Sequence, residues 1–112
     1  MERIEKRVMV RAPALVESRD LVIETETFNL SVGGVFLLGV RDLAAGTVFT
    51  LRLTFDEGVF ICETEVRWVR HQTVSAAEPA GCGCQFVAVS NEEREILREI
   101  TERYDLRRAS LA

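Results

Sequence analysis

Residues 47–71 contain two runs of alternating apolar and polar side chains, with a short turn signal between them. In the first run, TVFTLRLTF, Leu51 and Leu53 point to one face and Arg52 points to the other. The tripeptide at 56–58, Asp-Glu-Gly, is typical of a turn. In the second run, VFICETEVRWVRH, we expect one face to hold Phe60, Cys62, Thr64, Val66 and Trp68. The segment therefore predicts two neighbouring strands with one buried face.

The rest of the chain up to residue 89 repeats this arrangement of short strands and turns. The segments VMVRAPALVES and LVIETETF flank Arg19-Asp20, which predicts a tight hairpin connection. GVFLLGV and GCQFVAV are further strand segments, and QTVSAAEPAG is a loop because it is small, polar and interrupted by Pro79. About six strands joined by short turns predict an all-β fold, an antiparallel barrel or sandwich, rather than an α/β fold.

The C-terminal segment changes to a helical period. Ser90 followed by Glu93 is a capping-box pattern, and we expect a helix over residues 90–108. One face of this helix is apolar and holds Ile96, Leu97, Ile100 and Tyr104. Such a face has to pack on something, and the open face of the barrel and a partner protein are the two alternatives.

Length and charge restrict the class of protein. With 112 residues the chain is expected to form one domain, and its formal net charge of −4 argues against a broad surface for DNA or RNA. No apolar run is long enough to cross a membrane, and the charged start MERIEKR is unlike a signal peptide, so we expect a cytoplasmic protein. Residues 1–11 nevertheless carry four basic and two acidic side chains, which suits one small anion.

Side chains for catalysis or metal binding are scarce. Cys62, Cys82 and Cys84 lack the spacing of a zinc site and are expected to be buried strand residues. The single histidine, His71, has no evident partner for Ser/His/Asp chemistry, and no phosphate-binding loop of the P-loop or dinucleotide type is present. We therefore predict neither a metal site nor a catalytic site, and the protein is not expected to be an enzyme.

Two short motifs carry the functional signal. KRVMVRAP places Arg7 and Arg11 on one face of an extended segment, about 13 Å apart at roughly 3.3 Å per residue. The guanidinium fork binds phosphate and reaches guanine O6 and N7. In NLSVGG, Asn29 and Ser31 share a face and suit the edge of a purine, while the two glycines allow a sharp turn and a close ligand. The alternative for this second motif alone is a simple Asn/Ser turn.

The order R-x-x-x-R and then [D/N]-x-S-x-x-G resembles the signature of the PilZ family. Arg7 and Arg11 match its first half, and Asn29, Ser31 and Gly34 match its second half. The resemblance extends over nearly the whole chain, through GTVFTLRLTF, VRWVR, GCGCQFV and the final helix. It implies a six-stranded antiparallel β-barrel with a C-terminal α-helix: a mobile arm at 1–12, a barrel at 13–89 and a helix at 90–108.

The resemblance also implies a ligand and a role for each motif residue. Many PilZ proteins bind the bacterial second messenger cyclic di-GMP, and Arg7 and Arg11 would contact its phosphates and guanine Hoogsteen edges. Asn29 and Ser31 would recognise a guanine, and Gly34, preceded by Gly33, would shape the turn. Lys6 stands where the family often has another arginine, a position that influences whether one ligand or an intercalated pair is bound.

Two functions follow as hypotheses. The first is a non-catalytic cyclic di-GMP receptor whose arm wraps over the ligand. It would be a monomer or weak homodimer that does not insert into a membrane, and it would regulate motility, pilus, biofilm or exopolysaccharide functions. The alternative is a protein-interaction module of the same fold that needs no nucleotide. There the arginines would contact an acidic partner, with the VMV segment or the helix face as the docking patch.

Overall fold

The computed structural model describes residues 6–111, with side chains to residue 105, so the first five residues of the predicted arm lie outside the described residues. The described part forms strands and one helix: β1 Val8–Met9, β2 Pro13–Ser18, β3 Leu21–Leu30, β4 Gly34–Leu38, β5 Val48–Phe55, β6 Gly58–Arg70, β7 Gly81–Ala88 and α1 Asn91–Leu111. All strand pairs are antiparallel, in the order β3-β2-β5-β6-β7-β4, and a β3–β4 pairing closes the ring. The predicted six-stranded barrel with a C-terminal helix is confirmed, and β1 pairs with β3 as an additional strand.

The interior of the barrel is filled by the inward-facing positions of the alternating strands. Strand β5 alternates exposed and buried residues over its whole length, with Leu51 and Leu53 fully buried. Val16, Leu37 and Val66 join them in one core cluster that spans the barrel. Complete burial of one such side chain contributes about 1.5–3 kcal/mol, so the alternation in the sequence is the main determinant of the fold.

The segment VMVRAPALVES does not form one continuous strand. It is divided into β1 and β2, which lie on the same side of β3, with Val8 opposite Leu30 and Pro13 opposite Glu26. The buried side chain of Thr27 occupies the gap between the two strands. Its Oγ1 accepts a 2.9 Å hydrogen bond from the backbone N–H of Ala12 and donates one to the backbone carbonyl of Val10. The hydroxyl of Thr27 thus provides hydrogen-bond partners for the backbone N–H of Ala12 and the carbonyl of Val10, which lie between the two strands.

Strand β6 contains a β-bulge that the alternation did not predict. Val66 pairs with Cys84 and Trp68 pairs with Gly83, so that Arg67 is an extra residue between two pairs. The bulge reverses the alternation, and the side chain of Trp68 is 46% exposed, so the prediction of Trp68 on the buried face is wrong. The indole covers Gly83, where an added Cβ would lie 2.2 Å from Nε1.

The helix begins with the predicted capping box and packs on the barrel. The backbone N–H of Ser90 donates to Glu93 Oε1 and that of Glu93 donates to Ser90 Oγ, both at 3.1 Å. Leu97 and Ile100 are part of the barrel core, whereas Ile96 lies outside the buried stripe. Among the described residues, no helix combines the length and apolarity needed to cross a membrane.

Candidate ligand-binding site

The pairing of β1 with the end of β3 brings the two sequence motifs together. Met9 pairs with Asn29, so Arg7, two residues earlier, reaches the same end of β3. Arg7 Nη1 donates a 2.8 Å hydrogen bond to Asn29 Oδ1. The first arginine of R-x-x-x-R and the first residue of N-x-S-x-x-G are therefore in direct contact.

Arg7 lies where two adjoining surface depressions meet, and Trp68 and Gly83 belong to both. We call the two together the Arg7–Trp68 depression; their volumes are about 290 and 280 Å³. Each is close to the lower end of the range for small-molecule pockets. The other residues that line them are Phe28, Asn29, Gly33, Gly34, Phe36, Arg67, Arg70, Ala77, Cys84 and Gln85.

The lining of the Arg7–Trp68 depression is cationic although the protein as a whole is acidic. Arg7, Arg67 and Arg70 line it, and none of its lining residues is an aspartate or glutamate. Among the described side chains, carboxylates pair with these arginines from outside the lining, with Glu65 3.5 Å from Arg67 and Glu78 4.0 Å from Arg70. A concave surface with charge of one sign concentrates oppositely charged ligands, so this one favours an anion.

Aromatic rings give the depression flat surfaces. Phe36 lies with its ring centroid 6.0 Å from that of Phe28 and 5.3 Å from that of Trp68. The guanidinium of Arg70 lies 4.9 Å from the Trp68 ring centroid and 5.4 Å from that of Phe36, and Arg70 Nη1 donates a 3.0 Å hydrogen bond to the Pro79 carbonyl. An exposed indole beside a fixed guanidinium is a suitable stacking surface for a nucleobase.

Ser31 is buried beneath the turn that follows β3. Its Oγ accepts hydrogen bonds from the backbone N–H groups of Gly33, at 3.2 Å, and Gly34, at 3.1 Å. The backbone N–H of Ser31 also donates to the Gly34 carbonyl at 2.9 Å. In this structure Ser31 holds the turn in shape, and Asn29 is the motif residue whose side chain reaches Arg7.

The two glycines of the motif do not adopt left-handed backbone angles. The glycines with positive φ are elsewhere: Gly39, Gly46, Gly58 and Gly81. Gly34 instead starts β4, and a Cβ there would lie 2.2 Å from the carbonyl oxygen of Cys84 on β7. Glycine is thus required at position 34 by the close approach of two strands and not by the φ angle of the turn.

Neither Lys6 nor Arg11 lines the Arg7–Trp68 depression. Lys6 Nζ lies 2.8 Å from Asp105 Oδ2 on the helix, and this hydrogen bond raises the pKa of the lysine. Arg11 Nη1 lies 4.0 Å from Glu26 Oε1, and its guanidinium is 5.8 Å from the centroid of the Phe28 ring. Of the seven predicted site residues, four line the depression: Arg7, Asn29, Gly33 and Gly34.

Strand β6 contributes site residues that sequence reasoning missed. Arg67, Trp68 and Arg70 come to the depression because the bulge at Arg67 turns the end of the strand outwards. The available signal was the segment VRWVR, in which a large aromatic residue stands among arginines at the end of an amphipathic strand.

The cysteines form part of the barrel wall and are free thiols. Cys82 Sγ and Cys84 Sγ lie 3.4 Å apart on β7. The contact with Cys82 and burial raise the pKa of Cys84, whereas the same contact lowers that of Cys82. Burial raises the pKa of Cys62. All three are buried, as expected, in agreement with a structural role.

Solved structures of other proteins share this fold. The PilZ domain of YcgR from Escherichia coli, determined with c-di-GMP, superposes with a TM-score of 0.77 at 15% identity, over 98% of this chain and 96% of that one. Bacillus subtilis MotI/DgrA, an inhibitor of motility, gives 0.78 at 16% identity, over 96% of this chain and 52% of that one. A longer YcgR structure from Escherichia coli in complex with c-di-GMP superposes with a TM-score of 0.76 at 18% sequence identity, and the match covers 96% of this chain and 47% of that one. This chain therefore spans about half the length of the latter two proteins.

No sequence among the curated proteins matches the chain significantly. The profile of the family described as PilZ domain, by contrast, matches residues 2–103. That match includes both motifs that meet at Arg7 and Asn29 and every strand of the barrel. The chain belongs to the PilZ domain family.

Proposed function

We propose that this protein is a non-catalytic receptor for cyclic di-GMP. The observation that carries the proposal is the hydrogen bond between Arg7 and Asn29 inside a cationic depression lined by Trp68. Family membership supports it, and so do the structures of YcgR, which contain c-di-GMP. The ligand carries two phosphate charges and two guanines, which match the arginines and the flat aromatic surface of the depression.

The motif residues divide the recognition of this ligand among them. Arg7 and Arg11 contact phosphates and guanine Hoogsteen edges, because a guanidinium fork donates two parallel hydrogen bonds. Asn29 reads a guanine edge with its amide, while Ser31 fixes the turn that lets the backbone of Gly33 approach the ligand.

Residues of β6 add stacking and charge to this proposed site. The exposed part of the Trp68 ring stacks on a guanine, and Arg70, held against Trp68 by its hydrogen bond to the Pro79 carbonyl, contributes positive charge. Arg67 adds a further cation at the rim of the same depression.

Binding is proposed to rearrange the start of the chain. Arg7 exchanges Asn29 for the ligand, Lys6 leaves Asp105, and Arg11 leaves its position over Phe28. The charged side chains in these contacts are all exposed, so each contact contributes little to folding and is released at small cost. Val8 is buried in the core, so the backbone is proposed to keep its position from this residue onward, and Arg11 moves only its side chain.

The rearranged arm is the signal that a downstream partner reads. Since one relative is named for the inhibition of motility, we propose regulation of motility, with pilus, biofilm or exopolysaccharide machinery as the other outputs. The proposed setting is the bacterial cytoplasm, where cyclic di-GMP is produced.

Isothermal titration calorimetry with cyclic di-GMP tests the proposal. The wild-type protein is expected to bind, and Arg7→Ala and Arg11→Ala are expected to abolish binding without a change in thermal stability. Arg52→Ala is the matched control, because Arg52 is an exposed arginine on the outer face of β5 and does not line the depression. Trp68 is the single tryptophan, so its fluorescence provides a second readout at the site. Absence of binding heat at tens of micromolar ligand, for protein shown to be folded, would overturn the proposal.

A further inference from the structure

A second concave surface lies between α1 and the β5–β6 turn. We call it the turn–helix groove; it has a volume of about 150 Å³ and is lined by Glu57, Gly58, Val59, Ile96, Glu99 and Ile100, above a floor of Phe55 and Phe60. The floor is buried core, whereas Val59 is 56% exposed and Ile96 is 45% exposed at the rim. A volume this small holds an aliphatic side chain and is below the range for nucleotide-sized ligands.

The turn–helix groove is separate from the Arg7–Trp68 depression. The two share no lining residue, and they lie toward opposite ends of β6. Val59 and Arg67 are eight residues apart on that strand, which corresponds to roughly 26 Å of extended chain. The groove is therefore available for a partner while the depression holds a ligand.

Exposed apolar side chains extend the groove along the barrel. Ile61 is 45% exposed and shares the outer face of β6 with Val59, two residues away. Single exposed apolar residues are ordinary on protein surfaces. Here Val59 and Ile96 line one concavity with a packed apolar floor, and Ile61 follows Val59 on the outer face of β6, an arrangement characteristic of an interaction surface.

The charge around the groove identifies the class of partner. On α1, Glu92 precedes Ile96 by four residues and Glu99 follows it by three, so both flank Ile96 on the same helical face. Neither glutamate has an ion-pair partner among the described side chains, whereas Glu57 is paired with Arg103. The other helix arginines of this region, Arg94 and Arg98, each lie two residues from Ile96 and therefore on the opposite side of the helix.

This acidic rim argues against a second copy of the chain as the occupant. In a symmetric dimer the same patch faces itself, which would place Glu92 and Glu99 close to their own copies. A partner with positive charge gains from the same arrangement, because complementary charges increase the association rate and disfavour wrong partners.

We propose that the turn–helix groove binds a basic amphipathic helix of a partner protein. An apolar side chain of that helix enters between Val59 and Ile96, and its neighbouring lysines or arginines pair with Glu92 and Glu99. This mode uses one apolar stripe of the incoming helix as the anchor, and its charges determine the orientation. The proposal does not depend on nucleotide binding, so it stands or fails separately from the proposed receptor function.

The test uses the folded protein and a labelled synthetic peptide of leucine and lysine at helical spacing, about 18 residues long. Titration in salt near physiological ionic strength is followed by fluorescence anisotropy and by amide shifts in ¹H–¹⁵N NMR spectra. We expect the largest shifts at Gly58, Val59, Ile96 and Glu99. Ile96→Ser and Glu99→Lys are expected to weaken binding by about tenfold or more each.

The matched controls lie on β3, where Val22 is an exposed apolar residue and Glu24 an exposed acid outside the groove. Val22→Ser and Glu24→Lys are expected to change the affinity by less than about twofold. Equal weakening by Glu24→Lys and Glu99→Lys, shifts spread over other acidic surfaces, or no binding at all would overturn the proposal. A concentration-dependent dimer that Ile96→Ser abolishes would assign the groove to a second copy instead, and would overturn it equally.

Discussion

Arg7 Nη1 lies 2.8 Å from Asn29 Oδ1, and this one hydrogen bond joins two motifs whose residues are 22 positions apart in the chain. The bond is exposed to solvent, so its net contribution to stability is about 0.5 kcal/mol or less, below that of a typical intramolecular hydrogen bond. The hydrogen bond therefore holds the guanidinium at the Arg7–Trp68 depression only weakly. A ligand that binds Arg7 has to break this one exposed bond.

Replacing Arg7 by lysine tests whether the guanidinium fork or only its charge matters. Arg7→Lys keeps the positive charge but loses the two parallel donors, so we expect the affinity for cyclic di-GMP to fall roughly tenfold or more. The free energy of urea unfolding should change by less than about 0.5 kcal/mol, since the side chain is exposed. Calorimetry and urea titration measure the two quantities. An unchanged affinity would show that charge alone is sufficient.

Ser31→Ala tests the role of the buried hydroxyl in the turn. The change removes the acceptor that serves the N–H groups of Gly33 and Gly34, and leaving buried donors without an acceptor costs about 1–3 kcal/mol. Urea unfolding should show this loss. Ser75→Ala, at an exposed position in the β6–β7 loop, should stay within about 0.5 kcal/mol of wild type. A Ser31→Ala protein as stable as wild type would contradict a structural role for the hydroxyl.

Gly34→Ala is expected to be much more damaging than an alanine at a glycine with positive φ. The new Cβ at position 34 would lie 2.2 Å from the Cys84 carbonyl oxygen, and two hydrogen-bonded strands have to separate to accommodate it. We expect a loss of about 3 kcal/mol or more, or failure to fold. Gly39→Ala, with φ +71° and nothing within 4 Å, should cost only about 1 kcal/mol. Thermal unfolding of the two variants gives the comparison, and equal losses would refute the strand-contact explanation.

Cys62 is expected to make the folded state less stable as the pH rises into the alkaline range. Burial raises the pKa of its thiol in the folded state above the ordinary value. As the pH rises, the thiol of the unfolded chain therefore ionises first, and the unfolded state then binds fewer protons than the folded state. The contribution to stability is complete below the unfolded pKa and is lost as the pH rises towards the folded pKa.

The measurement is the free energy of urea unfolding between about pH 8 and pH 10.5. With rising pH, we expect the unfolding free energy of Cys62→Ser to fall less steeply than that of wild type. The two slopes should differ by at most about 1.4 kcal/mol per pH unit, the limit for one thiol. Cys82 and Cys84 are unchanged in this variant, so their contribution cancels in the comparison. Parallel curves would show that Cys62 does not contribute to the pH dependence.

Local sequence patterns predicted most of the fold. The hairpin at Arg19-Asp20, the turn at 56–58 and the capping box of Ser90 and Glu93 all appear in the structure where the sequence indicates them. Each depends on neighbouring residues alone. The barrel follows from them, because strands with one apolar face that are joined by short turns bury that face by closing on each other.

The departures arise where a contact between distant residues overrides the local pattern. Trp68 alternates with the buried residues of β6, but a bulge opposite Gly83 turns it outwards. The strand segment at 8–18 is divided where Thr27, on another strand, places its hydroxyl between Val10 and Ala12. Of the residues that line the candidate site, the sequence predicted Arg7, Asn29, Gly33 and Gly34 but not those that β6 contributes, since the register of the bulge cannot be read from β6 alone.

Strand β1 lies outside the closed ring, so we expect it to be less stable than the barrel. The six pairings that close the barrel do not include β1, which contacts β3 through only two residue pairs. The start of the chain can therefore open as its own cooperative unit, with a free energy well below that of global unfolding. Amide hydrogens of Val8 and Met9 should then exchange with solvent well before those of β5, and a bound ligand that engages the arm should narrow this difference. We therefore expect one small chain to combine a rigid barrel with a first segment that opens more readily.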